Sequence, residues 1–155
     1  MPCENIKVIE NSPIENVGVK ELTLLFDAKW RDILPKGFRL VDKEHKIYGS
    51  FTNNFDRCGR IDYIFRKGEI DYITEVELGY DNGEIWTVFK VLAYKNAYLI
   101  DNAYIKSKQV RALAILNSVV FHPNSANILI MSGIDYIFID QNAQVFRSSL
   151  KENEY

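Results

Sequence analysis

Apolar side chains recur along this chain at two spacings, and the switches between them lay out its elements. Over 19–34, Leu22, Leu25, Phe26, Trp30 and Ile33, with the stem of Lys29, share one helical stripe that Pro35 ends. Alternation over 37–41 and 46–51, around a polar 42–45 turn, predicts a β-hairpin, and a polar loop follows over 53–59. A strand then ends near Lys67, Lys67-Gly68 turns the chain, and a second strand runs over 71–78. Ile85, Val88, Phe89 and Leu92 predict a helix over 83–95. Asp81 has the type and spacing of its N-cap, with Glu84 three residues on as capping-box partner. Further on, alternation predicts a strand over 98–105. Ala112, Ile115, Leu116, Val119 and Val120 predict a covering helix over 110–121, which His122-Pro123-Asn124 terminates. Apolar runs over 128–131 and 134–139, around Ser132-Gly133, predict two last strands. Residues 1–18 read as an arm and 148–155 as a frayed tail. No internal repeat breaks this order, which implies one domain over 1–155 of the α/β (α+β) class, a mixed β-sheet flanked by helices.

The strand over 71–78 is unusual. Its period of two puts Thr74, Val76 and Leu78 on one face and Ile73, Glu75 and Glu77 on the other, which Asp71 also shares. Asp62 lies on the preceding strand. Pairing of the two strands would bring three carboxylates together under a helical cover. Like charges packed that closely repel, and partial burial adds a desolvation cost. A cation belongs among them, and a divalent metal bound through oxygen ligands is the economical answer.

Composition narrows the class further. At 155 residues, 47% hydrophobic and 13% aromatic, the chain can bury a core and is far from disordered. No apolar run approaches a membrane span, and the first residues lack the apolar region of a signal peptide, so the expectation is a soluble, intracellular (cytoplasmic) chain. Cys3 and Cys58 lack CxxC spacing and the only histidines are His45 and His122, which argues against zinc and for reduced thiols. A net charge of −2 argues against a generic nucleic-acid coat, but its distribution is uneven. Residues 36–67 hold eight basic side chains against four acidic, 69–84 hold six acids and no base, and 90–111 hold five bases against Asp101 alone. An acidic centre between basic flanks suits a metal site that also holds phosphates.

Asp62, then Glu75-Val76-Glu77 thirteen residues later, then a helix carrying Lys90, resembles the metal site of the PD-(D/E)xK nucleases. The likeness covers 60–105 and is nearest to type II restriction endonucleases with Glu or Gln in place of the motif lysine. Ile61 rather than Pro precedes Asp62, and Glu77 stands where the Lys would be. The resemblance implies a restriction-endonuclease-like core and Mg²⁺-dependent hydrolysis of DNA, with Mn²⁺ as a substitute ion. Asp62 and Glu75 would bind the metal, joined by the Val76 carbonyl, and Glu77, aided by Lys90, would position or deprotonate the water. Arg60, Arg66 and Lys67 would hold the DNA backbone, a contact without sequence information. Glu21, on the first helix, is either a metal-facing acid of the kind these nucleases carry or a first-turn acid that complements the helix dipole. Asp71 and Glu84 remain open as additional carboxylates. Reading base edges at this length calls for extra loops or a homodimer. Two other classes fit the same residues: an inactive nuclease-like module that only binds nucleic acid, and an interaction protein with a solvated acidic strand.

Overall fold

The computed structural model describes residues 19–48, 59–78, 83–103, 109–117, 123–140 and 142–150. Helix α1 (Val19–Ile33) buries Leu22, Phe26, Trp30 and Ile33, the stripe set by the helical period, with Glu21 in its first turn and Arg31 in its last. Six strands follow: β1 (Arg39–Ile47), β2 (Gly59–Lys67), β3 (Ile70–Leu78), β4 (Gln109–Asn117), β5 (Ile134–Ile139) and β6 (Val145–Ser148). Helix α2 (Gly83–Asp101) connects β3 to β4, and α3 (Pro123–Met131) connects β4 to β5.

The strands lie side by side in the order β1-β2-β3-β4-β5-β6. β1, β2 and β3 pair antiparallel, β3-β4-β5 are parallel, and β6 returns antiparallel to β5. Gly68 holds a positive φ of 59° in the two-residue connection between Lys67 and Ile70, a conformation a side chain would strain. The parallel pairs need crossovers, and α2 and α3 supply them. This is an α+β fold with a six-stranded mixed sheet between helices.

Both sheet faces are covered. Tyr63, Phe65, Tyr72, Val76, Leu113, Ile115, Ile137 and Ile139 pack with the α1 stripe. On the other face Ala112, Ala114, Leu116, Tyr136 and Phe138 pack with Val91 of α2 and Leu129 of α3. Ile47, Ile61, Ile64 and Ile73 pack with Ala97 and Tyr98 near the end of α2.

Several expected elements differ. Where the 37–51 hairpin was expected, the described residues hold one nine-residue strand, β1, because its polar centre lies exposed on an edge strand and bends by a bulge between Leu40 and Asp42 and a left-handed Glu44 (φ 50°) rather than by a turn, and 49–51 lie outside the described residues. The predicted strand over 98–105 starts inside α2, which runs on to Asp101. Tyr98 there faces the sheet while Ile100 is exposed, and an alternating pair is equally a helical pair one side apart. Most of the predicted helix over 110–121 is β4. Its residues from Ala112 to Asn117 are all buried, so its apolar run marks a strand covered on two faces, and 118–121 lie outside the described residues. The run over 128–131 belongs to α3, which Pro123 opens rather than closes, as a residue with no N–H to satisfy can. Strand β6 was not anticipated. Just past it, Ser149 donates its N–H to the Tyr136 carbonyl at 2.9 Å, so the start of the expected frayed tail is tied to β5. The 1–18 arm, the 53–58 loop and the Asp81 N-cap lie outside the described residues. Among the described residues no helix is long and apolar enough to cross a membrane.

Candidate active site

β2 and β3 pair regularly from Lys67↔Ile70 to Tyr63↔Thr74. One residue further, where the register would set Asp62 opposite Glu75, the carboxylates take over from backbone carbonyls. The Asp62 N–H donates to Glu75 Oε2 at 2.6 Å, and the Val76 N–H donates to Asp62 Oδ2 at 3.0 Å. Each backbone donor is satisfied, but by the side chain of the other strand. The ladder therefore ends on two acids held beside one another.

Their surroundings differ. Asp62 is half-buried and borders a cleft of about 200 Å³ on the α1 side, lined also by Asp27, Lys43, Glu44 and Tyr63. Glu75 is 0% exposed and faces α2. Its Oε1 is buried with no hydrogen-bond partner, and Lys90 Nζ stands 3.2 Å away, close enough for an ion pair but without hydrogen-bonding angles. Lys90 instead donates to Glu77 Oε1 at 2.6 Å. Burial, and then the neighbouring Asp62 charge, push the Glu75 carboxyl up to about 8, against the opposing pull of Lys90. For Lys90, burial alone would depress the ammonium. The Glu77 hydrogen bond and the two carboxylate charges outweigh it and raise the pKa above the usual lysine range.

The structure thus brings Asp62, Glu75, Glu77 and Lys90 to one end of the β2–β3 pair, but not as three converging carboxylates. Asp62 and Glu75 form a pair, and Glu77 is turned to Lys90. Among the described residues no three Asp, Glu, His or Cys side chains gather closely enough to ring a metal ion. Asp71 is apart from them, fully buried, accepting from Arg66 Nε at 2.5 Å and from the Tyr98 hydroxyl at 2.7 Å. Glu21 is exposed on α1, and the Glu84 side chain lies outside the described residues. Arg60 is exposed and paired with Glu44 at 3.3 Å, Arg66 is engaged by Asp71, and Lys67 lies over the Phe38 ring. Arg60 and Arg66 are about 20 Å apart along β2, too far for one phosphate-gripping cluster.

Two groups near the site escaped sequence reasoning. Tyr94 sits one turn beyond Lys90 on α2, its ring 5.8 Å from the ammonium. The i, i+4 spacing of Lys90 and Tyr94 was a readable signal. A Cβ on Gly59 would fall 2.6 Å from the Tyr94 hydroxyl, so only glycine lets β2 start this close to α2. On the other side, Asp27 of α1 accepts from the Tyr63 hydroxyl at 3.1 Å and pairs with Lys43 at 2.5 Å. Nothing in the spacing of Asp27 or Lys43 set them apart from solvated charges.

No family model and no curated protein matches this chain. Its backbone, however, is similar to solved structures. An XisH family protein from Nostoc punctiforme superposes with a TM-score of 0.53 at 9% identity, over 82% of this chain and 97% of that one. A fdxN element excision controlling factor protein from Anabaena variabilis gives 0.53 at 12% identity, over 82% and 96%. At these identities the likeness bears on the fold alone, an α+β arrangement with a mixed sheet between helices. SfsA of Pyrococcus furiosus, at a TM-score of 0.35, shares too little shape to inform the site. In this fold the Asp62–Glu75 pair lies on the adjacent strands β2 and β3, between α1 on one face and α2 on the other.

Proposed function

We propose that this chain is a divalent-metal-dependent DNA nuclease of the PD-(D/E)xK kind, with Glu77 in place of the motif lysine. The observation that carries the reading is Glu75: a fully buried carboxylate, held against Asp62, with one oxygen lacking a hydrogen-bond partner. An orphaned buried oxygen beside a second carboxylate is a donor set that fits a hard cation. Asp62 and Glu75 would hold Mg²⁺, with the Val76 carbonyl adjoining them. When bound, such an ion supplies an activated water, neutralises charge developing on phosphorus and assists the leaving oxygen. Glu77, at the same end of β3, orients the attacking water and accepts its proton at a carboxylate oxygen. Lys90, within 2.6 Å of Glu77, holds that carboxylate in place. Asp62 also borders the cleft on the α1 side, the sheet face opposite Glu75 and Glu77, so the phosphodiester would approach Glu77 from the α2 side, where Glu77 and Lys90 are partly exposed. Of the three basic residues assigned to the DNA backbone, Arg66 is engaged by Asp71, while Arg60 and Lys67, at opposite ends of β2, would touch separate phosphates rather than grip one. Two such sites, one for each strand, would cut a duplex in a single encounter, and the working unit we propose is a homodimer.

The test is incubation of linear and circular duplex DNA with Mg²⁺. Wild type should cleave both, while Asp62→Ala and Glu75→Ala, checked for an unchanged circular-dichroism spectrum, should show no cleavage above background. Either variant cutting like wild type removes the assignment.

A second reading rests on Lys90, which already supplies a positive charge to Glu75 and Glu77. If that charge is the permanent partner of the acids, the chain is a nuclease-like module that binds nucleic acid without cutting it. Calorimetric titration of the wild type with Mn²⁺ separates the two, since a permanently neutralised site takes up no ion.

A further inference from the structure

Lys90 stands in an awkward place for an enzyme that must load a divalent ion. Its ammonium is 3.2 Å from Glu75 Oε1, the buried oxygen that has no hydrogen-bond donor and that is assigned to the ion. An ammonium and a divalent ion sharing that oxygen would repel at close range, and more strongly away from bulk water. Lys90 also has somewhere else to go. Its side chain is 39% exposed, and its shorter contact, 2.6 Å, is to Glu77, which is 22% exposed and lies further along β3. The Glu75 contact is the longer of the two and lacks hydrogen-bonding angles. Of the two carboxylates, Glu75 is the one Lys90 can release at less cost.

We infer that Lys90 is an internal counter-ion that competes with the divalent cation for Glu75. In the metal-free protein it compensates Glu75 wherever that carboxyl is ionised, and on loading it stays with Glu77 alone. The inference rests on the metal reading above and extends it: Lys90 sets the affinity for the ion, and sets it lower than Asp62 and Glu75 alone would reach. A ligand that favours one of two arrangements of Lys90 is weakened by whatever stabilises the other.

The experiment is calorimetric titration of the metal-free full chain with Mn²⁺ at pH 8.5, where Glu75 and Lys90 are both charged, for wild type, Lys90→Met and Lys90→Arg. Methionine keeps an unbranched stem of similar length and removes the charge. Lys90→Met should bind Mn²⁺ more tightly by on the order of tenfold, the usual size of coupling between two competing ligands. Lys90→Arg should stay near wild type. If Lys90→Met does not fold without metal, Lys90→Gln gives the same comparison. Unchanged or weaker binding by the charge-free variant, with wild type binding normally, overturns the inference and leaves the metal site standing. An ion pair that is only structural would give that result, lowering the melting temperature without moving the affinity. No binding by wild type and variants alike overturns the metal reading, and this inference with it.

Discussion

A carboxylic acid with no water around it and a second acid beside it keeps its proton well into the neutral range, and Glu75 does so to about pH 8. Its ordinary value is 4.5. Between those limits the folded chain binds a proton that the unfolded chain has released, so stability falls as pH rises through that window. The largest slope one such group can contribute is about 1.4 kcal/mol per pH unit. Urea titrations at pH 5 and pH 8.5 should show the loss in wild type, and Glu75→Gln should abolish the part due to this residue. The same proton must leave when a cation takes its place. Below pH 8, Mn²⁺ binding should therefore strengthen with pH and release close to one proton, read by calorimetry in two buffers of different ionisation heat. Above pH 8 both trends should flatten.

At the scale of elements, the opposite end of the β2–β3 pair is closed by a buried ion pair. Asp71 of β3 accepts both from Arg66 of β2 and from Tyr98 of α2, tying two strands and a helix to one carboxylate. Removing one partner of such a pair leaves a buried charge uncompensated, so Arg66→Ala should cost about 3 kcal/mol. Its duplex affinity should match wild type, measured by fluorescence anisotropy, because the guanidinium is engaged within the protein. Sequence alone gave the opposite role to Arg66, since a basic residue beside a turn looks solvated until its partner is placed. The acidic strand itself was legible: Val76 and Glu75 fall on opposite faces of β3, as period two requires. What stayed hidden follows from burial. Strand β4, covered on both faces, has no polar side to alternate with, and its apolar positions match a helical stripe as well as a strand. α3 is nine residues long and nearly all apolar, so its run resembles a short buried strand. The site showed the same limit: Glu75 and Asp62 could be placed opposite one another, but not the choice of Lys90 between two acids.

For the molecule as a whole, order in the sheet predicts order in its opening. β3, β4 and β5 are flanked by strands and covered by helices on two sides, while β1 and β6 are edges with exposed side chains. Amide exchange followed by mass spectrometry should find peptides from 112–117 and 134–139 slowest, and those from 39–46 and 145–148 fastest. The site lies inside the slow region at Glu75 and toward the faster one at Asp62. A rigid wall and a more yielding one meet there, and α1 and α2 hold the two sides in register.

Where the β2–β3 ladder gives way to side chains, two backbone protons point at the carboxylates a ligand would claim, one at Glu75 Oε2 and one at Asp62 Oδ2. The amides of Asp62 and Val76 are in effect built-in probes. An isotope-labelled sample should show their resonances moving as soon as the carboxylates change partner, while Tyr63 and Thr74, one step inside the regular pairing, hold still. Occupancy could then be followed residue by residue in a chain that cuts nothing.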